Sequence, residues 1–248
     1  MLTTWPLYDT EVIENGEPQL LRWAVNNISN IHTSEPLIGQ VVPLAKELGW
    51  PTTIPETQAV PLSPPFVWNY TELVLDAGGP GPALGSQAQA VIQLNEGEVF
   101  EFVLQNARAL NGVAEYHPWH SHGHSFWVVG RGEGIYDPDR DVETYNVKNP
   151  LLRDTVSVYP LNWVAIRFVA NNPGVWLFHC HILSHLVMGM GFTMLVQPDL
   201  LEEPSDSVRY CNDHSLNTTN TTDGSTSSAA IWFNSMTCVI PLLLLFVM

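Results

Sequence analysis

The sequence predicts an all-β fold, an antiparallel sandwich or barrel. Short apolar or alternating runs recur at 20–26 (LLRWAVN), 89–94, 98–105, 125–130, 155–160, 163–170, 175–180 and 191–197, each of strand length. Turn-forming residues separate them: the chain has 19 prolines and 17 glycines in 248 residues, and Pro173-Gly174 falls between two of the runs. Helical periodicity is scarce and there is no internal repeat, so spaced strands with turns point to a sandwich or barrel.

Taken in order, residues 1–19 (MLTTWPLYDTEVIENGEPQ) read as an N-terminal extension. They lack the basic and apolar regions of a signal peptide, so we expect either that Met1 is not the true start or that further domains precede it. The domain itself is expected over 20–211. Residues 36–88 are rich in Pro and Gly and predict a long ordered loop with a short helical turn at 43–48. NEGE at 95–98 predicts a hairpin-like turn between two strands. VFEFVLQ (99–105) is apolar on both faces, as for a strand buried between layers. HILSHLVM, from His181 to Met188, predicts a short helix carrying His181 and His185 at i, i+4. Residues 212–228 (NDHSLNTTNTTDGSTSS) form a polar, low-complexity linker expected to be disordered. Residues 229–248 end the chain in an uncharged apolar tail that resembles a GPI-anchor signal or a membrane anchor, with Asp223, Gly224 or Ser225 as candidate attachment positions.

Composition narrows the function. Apolar residues make up 45% of the chain, enough for a core, and charged residues only 14%. A net charge of −16 argues against nucleic acid, whose phosphates need a basic surface. Sequons at Asn27, Asn69, Asn217 and Asn220 are consistent with a glycosylated, secreted protein. Three cysteines do not make a disulfide framework.

The chemistry is concentrated in two stretches, EYHPWHSHGHSFW (115–127) and GVWLFHCHILSHLVMGMG (174–191), which hold seven of the nine histidines. His179, Cys180 and His181 are consecutive. On a strand, successive side chains alternate between faces, so Cys180 points one way and both histidines the other. A thiolate, imidazoles and a weak thioether are the donors of a blue (type 1) copper site. Cys180, His185 and Met190 supply part of that set, and His117 can supply the second imidazole. His120 and His122, alternating on an extended segment, can join His179 and His181 at a second site directly beside the thiolate. Satisfied core histidines are the bland alternative. One isolated His would favour it, but this density and spacing do not.

These motifs, with RWAVNNIS, NPLLRDTV and WVAIRFVANNPGVWLFHCH, resemble the C-terminal cupredoxin domain of multicopper oxidases, the family of ascorbate oxidases and laccases. The resemblance runs from about Leu20 to Gln197 and is closest to ascorbate oxidases. It implies a cupredoxin-like Greek-key β-sandwich or barrel with long loops. By motif match it makes His117, Cys180 and His185 type 1 copper ligands with Met190 axial. His120 becomes a type 2 ligand, and His122, His179 and His181 become type 3 ligands. His124 is not a ligand in the family and is taken as structural. Glu115 falls where ascorbate oxidase has a substrate-contacting Glu. Cys211 lies near a cysteine that in ascorbate oxidase bridges back to the first domain.

The resemblance also implies the reaction. Single electrons pass from a small reductant (ascorbate, a phenol or a metal ion) through His185 and Cys180, then by His179 and His181, to a three-copper cluster that reduces O2 to water. The family's cluster uses eight histidines, and this chain supplies four. His32 and His214 are isolated. The expectation is therefore an oxidase domain that needs N-terminal cupredoxin domains or a second chain, at the cell exterior and attached to the membrane through its tail. The alternatives are a stand-alone blue-copper electron carrier and a non-catalytic surface domain.

Overall fold

The alternating runs become two stacked β-layers, seen in a computed structural model that describes residues 1–8, 21–32, 36–64, 85–108 and 114–204. Cys211, Cys238, His214, the linker, the apolar tail and the sequons at Asn69, Asn217 and Asn220 lie outside the described residues. The strands are β1 (Leu2–Tyr8), β2 (Leu21–Val25), β3 (Ile28–Asn30), β4 (Thr57–Ala59), β5 (Ser86–Leu94), β6 (Val99–Asn106), β7 (His117–Ser121), β8 (Phe126–Glu133), β9 (Leu151–Arg153), β10 (Thr155–Val158), β11 (Asn162–Val169), β12 (Gly174–Cys180) and β13 (Gly191–Val196). The helices are α1 (Leu37–Leu48), α2 (Pro138–Asp141) and α3 (Leu183–Val187).

One layer runs β3-β2-β1-β6-β11-β8-β9 and the other β10-β7-β12-β13-β5. β5 belongs to both. Its first residues pair with β3, and its later ones with β4 and β13. Between the layers, Trp119, Phe178 and Phe192 stack at 5.1–5.3 Å, and Phe102 meets Phe178 edge-on from the opposite layer at 5.7 Å.

The all-β expectation holds, with four differences. The β1–β6, β3–β5, β4–β5 and β5–β13 ladders are parallel, so the fold is mixed rather than purely antiparallel. The NEGE turn does not close a hairpin. β5 already has partners on both edges, so the chain crosses to the other layer, where β6 pairs with β1 and β11. Residues 2–8, expected ahead of the domain, form β1 between β2 and β6. The short turn expected at 43–48 is a 12-residue helix, α1. Gly39 and Pro43 hid its period, but Leu37, Val41, Val42 and Ala45 are buried. Leu37 and Val41 pack with Ile54, Val91 and Leu195 on the outer face of the second layer.

From Phe102 onward β6 is buried on both sides, as its composition predicts. Phe102 and Leu104 face the main core, whereas Val103 packs with Val129, Tyr136, Trp163 and Ala165. The outer face of the second layer carries both α1 and a histidine. α1 covers it near the Val175–Leu195 pair, and four residues further along β12 stands His179, opposite Gly191.

Candidate metal centre

β12 ends at Cys180, which pairs with Trp119 of β7, and His117 lies two residues back on that strand. Cys180 faces the core and is fully buried. The chain then turns through His181 and Ile182, and α3 brings His185 back over the cysteine. His181 precedes α3, so the helix carries only His185 of the expected i, i+4 pair.

His117 Nδ1 and His185 Nδ1 are 3.2 Å apart, and Cys180 Sγ lies 3.9 and 3.7 Å from them. A point equidistant from the three atoms is about 2.1 Å from each, the reach of a first-row metal bond of ~2.0–2.3 Å. Among the described residues this is the one cluster of three such donors. Burial holds His117 neutral, down to about 3, with His185 adding to the effect, so its lone pair is free at neutral pH. Burial lowers His185 as well, with Glu115 opposing. Burial pushes the Cys180 thiol up to about 11, so a metal has to displace its proton. Two neutral imidazoles and a thiol sulfur converging at bonding distance fit a copper ion.

Met190 is also fully buried. Its backbone N–H donates to His185 O at 2.9 Å, and its carbonyl accepts from Cys180 N at 3.0 Å, so it belongs to the same structural unit. Two further residues wall the site. Trp23, 2% exposed, places its ring 4.8 Å from His117 and 5.2 Å from His185. Glu115 Oε2 lies 3.2 Å from His185 Nε2, on the side of the ring away from the cysteine. The sequence reading did not assign Trp23 a role. The only signal was its place in RWAVNNIS, 94 residues before His117.

On the opposite face of β7 and β12 stand His120, His122, His179 and His181. His122 Nε2 and His179 Nε2 are 3.1 Å apart. His120 keeps ring-centroid distances of 5.0, 5.8 and 5.4 Å to His122, His179 and His181. This is a looser set than the first cluster. Tautomers follow from the surroundings. His179 Nδ1 donates to Cys180 O at 2.8 Å and His120 Nδ1 to Asp154 O at 3.0 Å, which leaves both Nε2 atoms unprotonated, with a lone pair each. Burial keeps His179 neutral down to about 3 and His122 to about 4. His124 is buried elsewhere, its ring packed near Phe168 and Trp176.

A family profile described as Multicopper oxidase matches residues 59–200. The chain belongs to the multicopper oxidase family. It is 42% identical to an L-ascorbate oxidase of Cucumis sativus over 187 residues, which is 75% of this chain and 29% of that protein. It is 37% identical to Laccase-13 of Arabidopsis thaliana over 174 residues, 70% of this chain and 29% of that one. The chain thus spans under a third of the length of these relatives. Among solved structures, Fet3p, a multicopper oxidase that functions in iron import, superposes with a TM-score of 0.54 at 22% identity, covering 98% of this chain and 35% of that one. A laccase from Botrytis aclada superposes with a TM-score of 0.52 at 17% identity, covering 98% and 32%. At these identities the two structures share the fold. Multicopper oxidases use copper, and the His117–Cys180–His185 cluster has the donor chemistry for it.

Proposed function

We propose that this chain is the C-terminal copper domain of an oxidase of the ascorbate oxidase or laccase type. The observation that carries the proposal is the convergence of His117, Cys180 and His185 on one point while His179 and His181, the neighbours of Cys180, stand with His120 and His122 on the opposite face. Copper bound at the first cluster would supply one-electron redox chemistry with a small reductant. Cys180 would provide the thiolate, and Met190, buried and tied by its backbone to His185 and Cys180, would supply a weak thioether donor. Trp23 keeps water from the two imidazoles. Glu115 orients His185 and faces solvent beside it, its side chain 42% exposed, where a small reductant such as ascorbate or a phenol can approach. The backbone of residues 179–181 joins the two donor sets through bonds.

His120, His122, His179 and His181 are half of the set needed for a three-copper cluster. The proposed activity, reduction of O2 to water, therefore requires further cupredoxin domains or a second chain. We also place the protein at the cell exterior, supported by the sequons, with the tail 229–248 as a GPI or membrane-attachment signal. No helix among the described residues is long and apolar enough to cross a membrane. Release from the cell surface by phosphatidylinositol-specific phospholipase C tests the GPI reading, and secretion with the tail intact would exclude anchoring.

The copper reading is tested by adding Cu(II) to the purified chain. An intense blue thiolate-to-copper absorption is expected, and Cys180→Ser should abolish it. A folded, copper-loaded and colourless wild-type protein would overturn the assignment.

A further inference from the structure

The segment that delivers Met190 is fixed from a distant part of the chain. β2 and β3 form a hairpin closed by Asn26 and Asn27, both at positive φ (46° and 74°) as a tight two-residue turn requires. The hairpin's backbone bonds directly to residues 188–189. Trp23 N donates to Met188 O at 2.8 Å and Asn30 N to Gly189 O at 3.1 Å. Ser29, with no exposed surface, donates its hydroxyl to the same Met188 carbonyl at 3.3 Å and accepts from Arg22 Nε at 3.0 Å. Gly189 sits at φ +103°, and a Cβ there would strike Ser29 Oγ and lie 3.0 Å from the carbonyl oxygens of Asn30 and Trp23. Beyond it, Met190 is tied to His185 and Cys180 through its own backbone.

A methionine side chain turns about three bonds and has no preferred direction of its own. Its sulfur is placed by the backbone that presents it and by the walls around it. We propose that Ser29 and the β2–β3 hairpin position Met190, and through it tune the metal at His117–Cys180–His185. Ser29 is a positioning residue that acts through the Met188 carbonyl. The tuning half of the inference rests on the copper reading above, and the positioning half does not.

The test uses the full chain, made without glycosylation so that loss of the Asn27 sequon has no effect, with 13C-methyl methionine. The variants are Ser29→Ala and, as a control for deleting a buried hydroxyl elsewhere, Thr4→Ala, whose Oγ1 bonds Gln105 O at 3.0 Å on β1. Ser29→Ala should fold, because Trp23 N still donates to Met188 O. In the metal-free protein it should move the Met190 methyl resonance and leave that of Met194 in place. With Cu(II), it should shift the thiolate absorption band. Thr4→Ala should do neither. An unmoved Met190 resonance in Ser29→Ala, or an equal movement in Thr4→Ala, overturns the inference. Should wild type bind Cu(II) without colour, the copper reading fails, and the methyl resonance still decides for or against Ser29.

Discussion

Glu115 Oε2 lies 3.2 Å from His185 Nε2, while the other nitrogen of that ring faces Cys180 Sγ at 3.7 Å and His117 Nδ1 at 3.2 Å. One imidazole thus links a partly exposed carboxylate to a buried donor cluster. The carboxylate accepts a hydrogen bond from Nε2–H, which assigns the tautomer and leaves the Nδ1 lone pair for a metal. Asn106 holds the arrangement by donating to the carbonyls of Glu115, Val158 and Tyr159.

Removing the carboxylate leaves His185 free to rotate or change tautomer. Glu115→Ala should lower copper affinity about ten- to a hundredfold, as is typical of such supporting partners, while the blue colour persists. Glu115→Gln should lose less, because its amide oxygen still accepts from Nε2. Competition with a chelator measures both, and an alanine variant that binds like wild type would sink the role.

Acid should destabilise the metal-free chain early. In the folded state His117 and His179 take up protons only near pH 3 and His122 near 4, against 6.5 for the unfolded chain. Between those values the unfolded state binds more protons. This stability is complete above pH 6.5 and is lost as pH falls toward 3. Urea midpoints should fall between pH 7 and 5, and His117→Gln should flatten the slope. At the other end, burial raises Cys180 from 9.0 to about 11, so its contribution is present below 9 and is lost as pH rises from 9 to about 11.

The alternation of His179, Cys180 and His181 could be read from the sequence because strand geometry assigns their faces before any tertiary contact forms. The strands of the core were legible for the same reason. What could not be read depends on long-range pairing. Parallel partners for β5 and the crossing at NEGE follow from which edges are already taken, and that is a property of the whole sheet. α1 was masked by Pro43, which its packing on Val91 and Leu195 tolerates. Trp23 reaches the metal centre, and Ser29 the Met188 carbonyl, from a hairpin distant in sequence, where RWAVNNIS marks a resemblance but no role for either. Glu115 is expected at a substrate contact from the resemblance, and its pairing with His185 is a further relationship that only the fold shows.

The two donor sets should behave differently with copper. His117, Cys180 and His185 converge, whereas His120, His122, His179 and His181 share one close nitrogen pair, His122–His179. Metal affinity falls steeply when ligands are missing. The isolated chain should therefore bind about one copper tightly and consume little oxygen with ascorbate or a phenol. His120→Ala and His181→Ala should leave the blue band intact. Joined behind two cupredoxin domains of an active relative, the chain should gain oxidase activity that either substitution removes. Turnover by the chain alone with about four coppers would refute this.

The turn between β7 and β8 sets how His122 is presented, and Gly123 controls that turn. Gly123 is at φ +70°, and a Cβ there would come within 2.3–2.6 Å of ring atoms of Trp176. Trp176 cannot easily yield, since its Nε1 donates to Asn172 O at 2.8 Å and Asn172 Nδ2 donates to Gly123 O at 2.9 Å. Gly123→Ala combines a left-handed backbone, about 1–2 kcal/mol, with overpacking of about 1–3 kcal/mol. A loss of about 2–5 kcal/mol is expected in urea unfolding followed by tryptophan fluorescence. Trp176→Ala removes the clash but not the backbone cost. The double variant should then be more stable than the sum of the two single losses, with a positive coupling of about 1 kcal/mol or more. Simple additivity would show that the ring moves aside freely. Because Gly123 lies on the His122 side, away from Cys180, the blue band of whatever fraction remains folded should be unchanged.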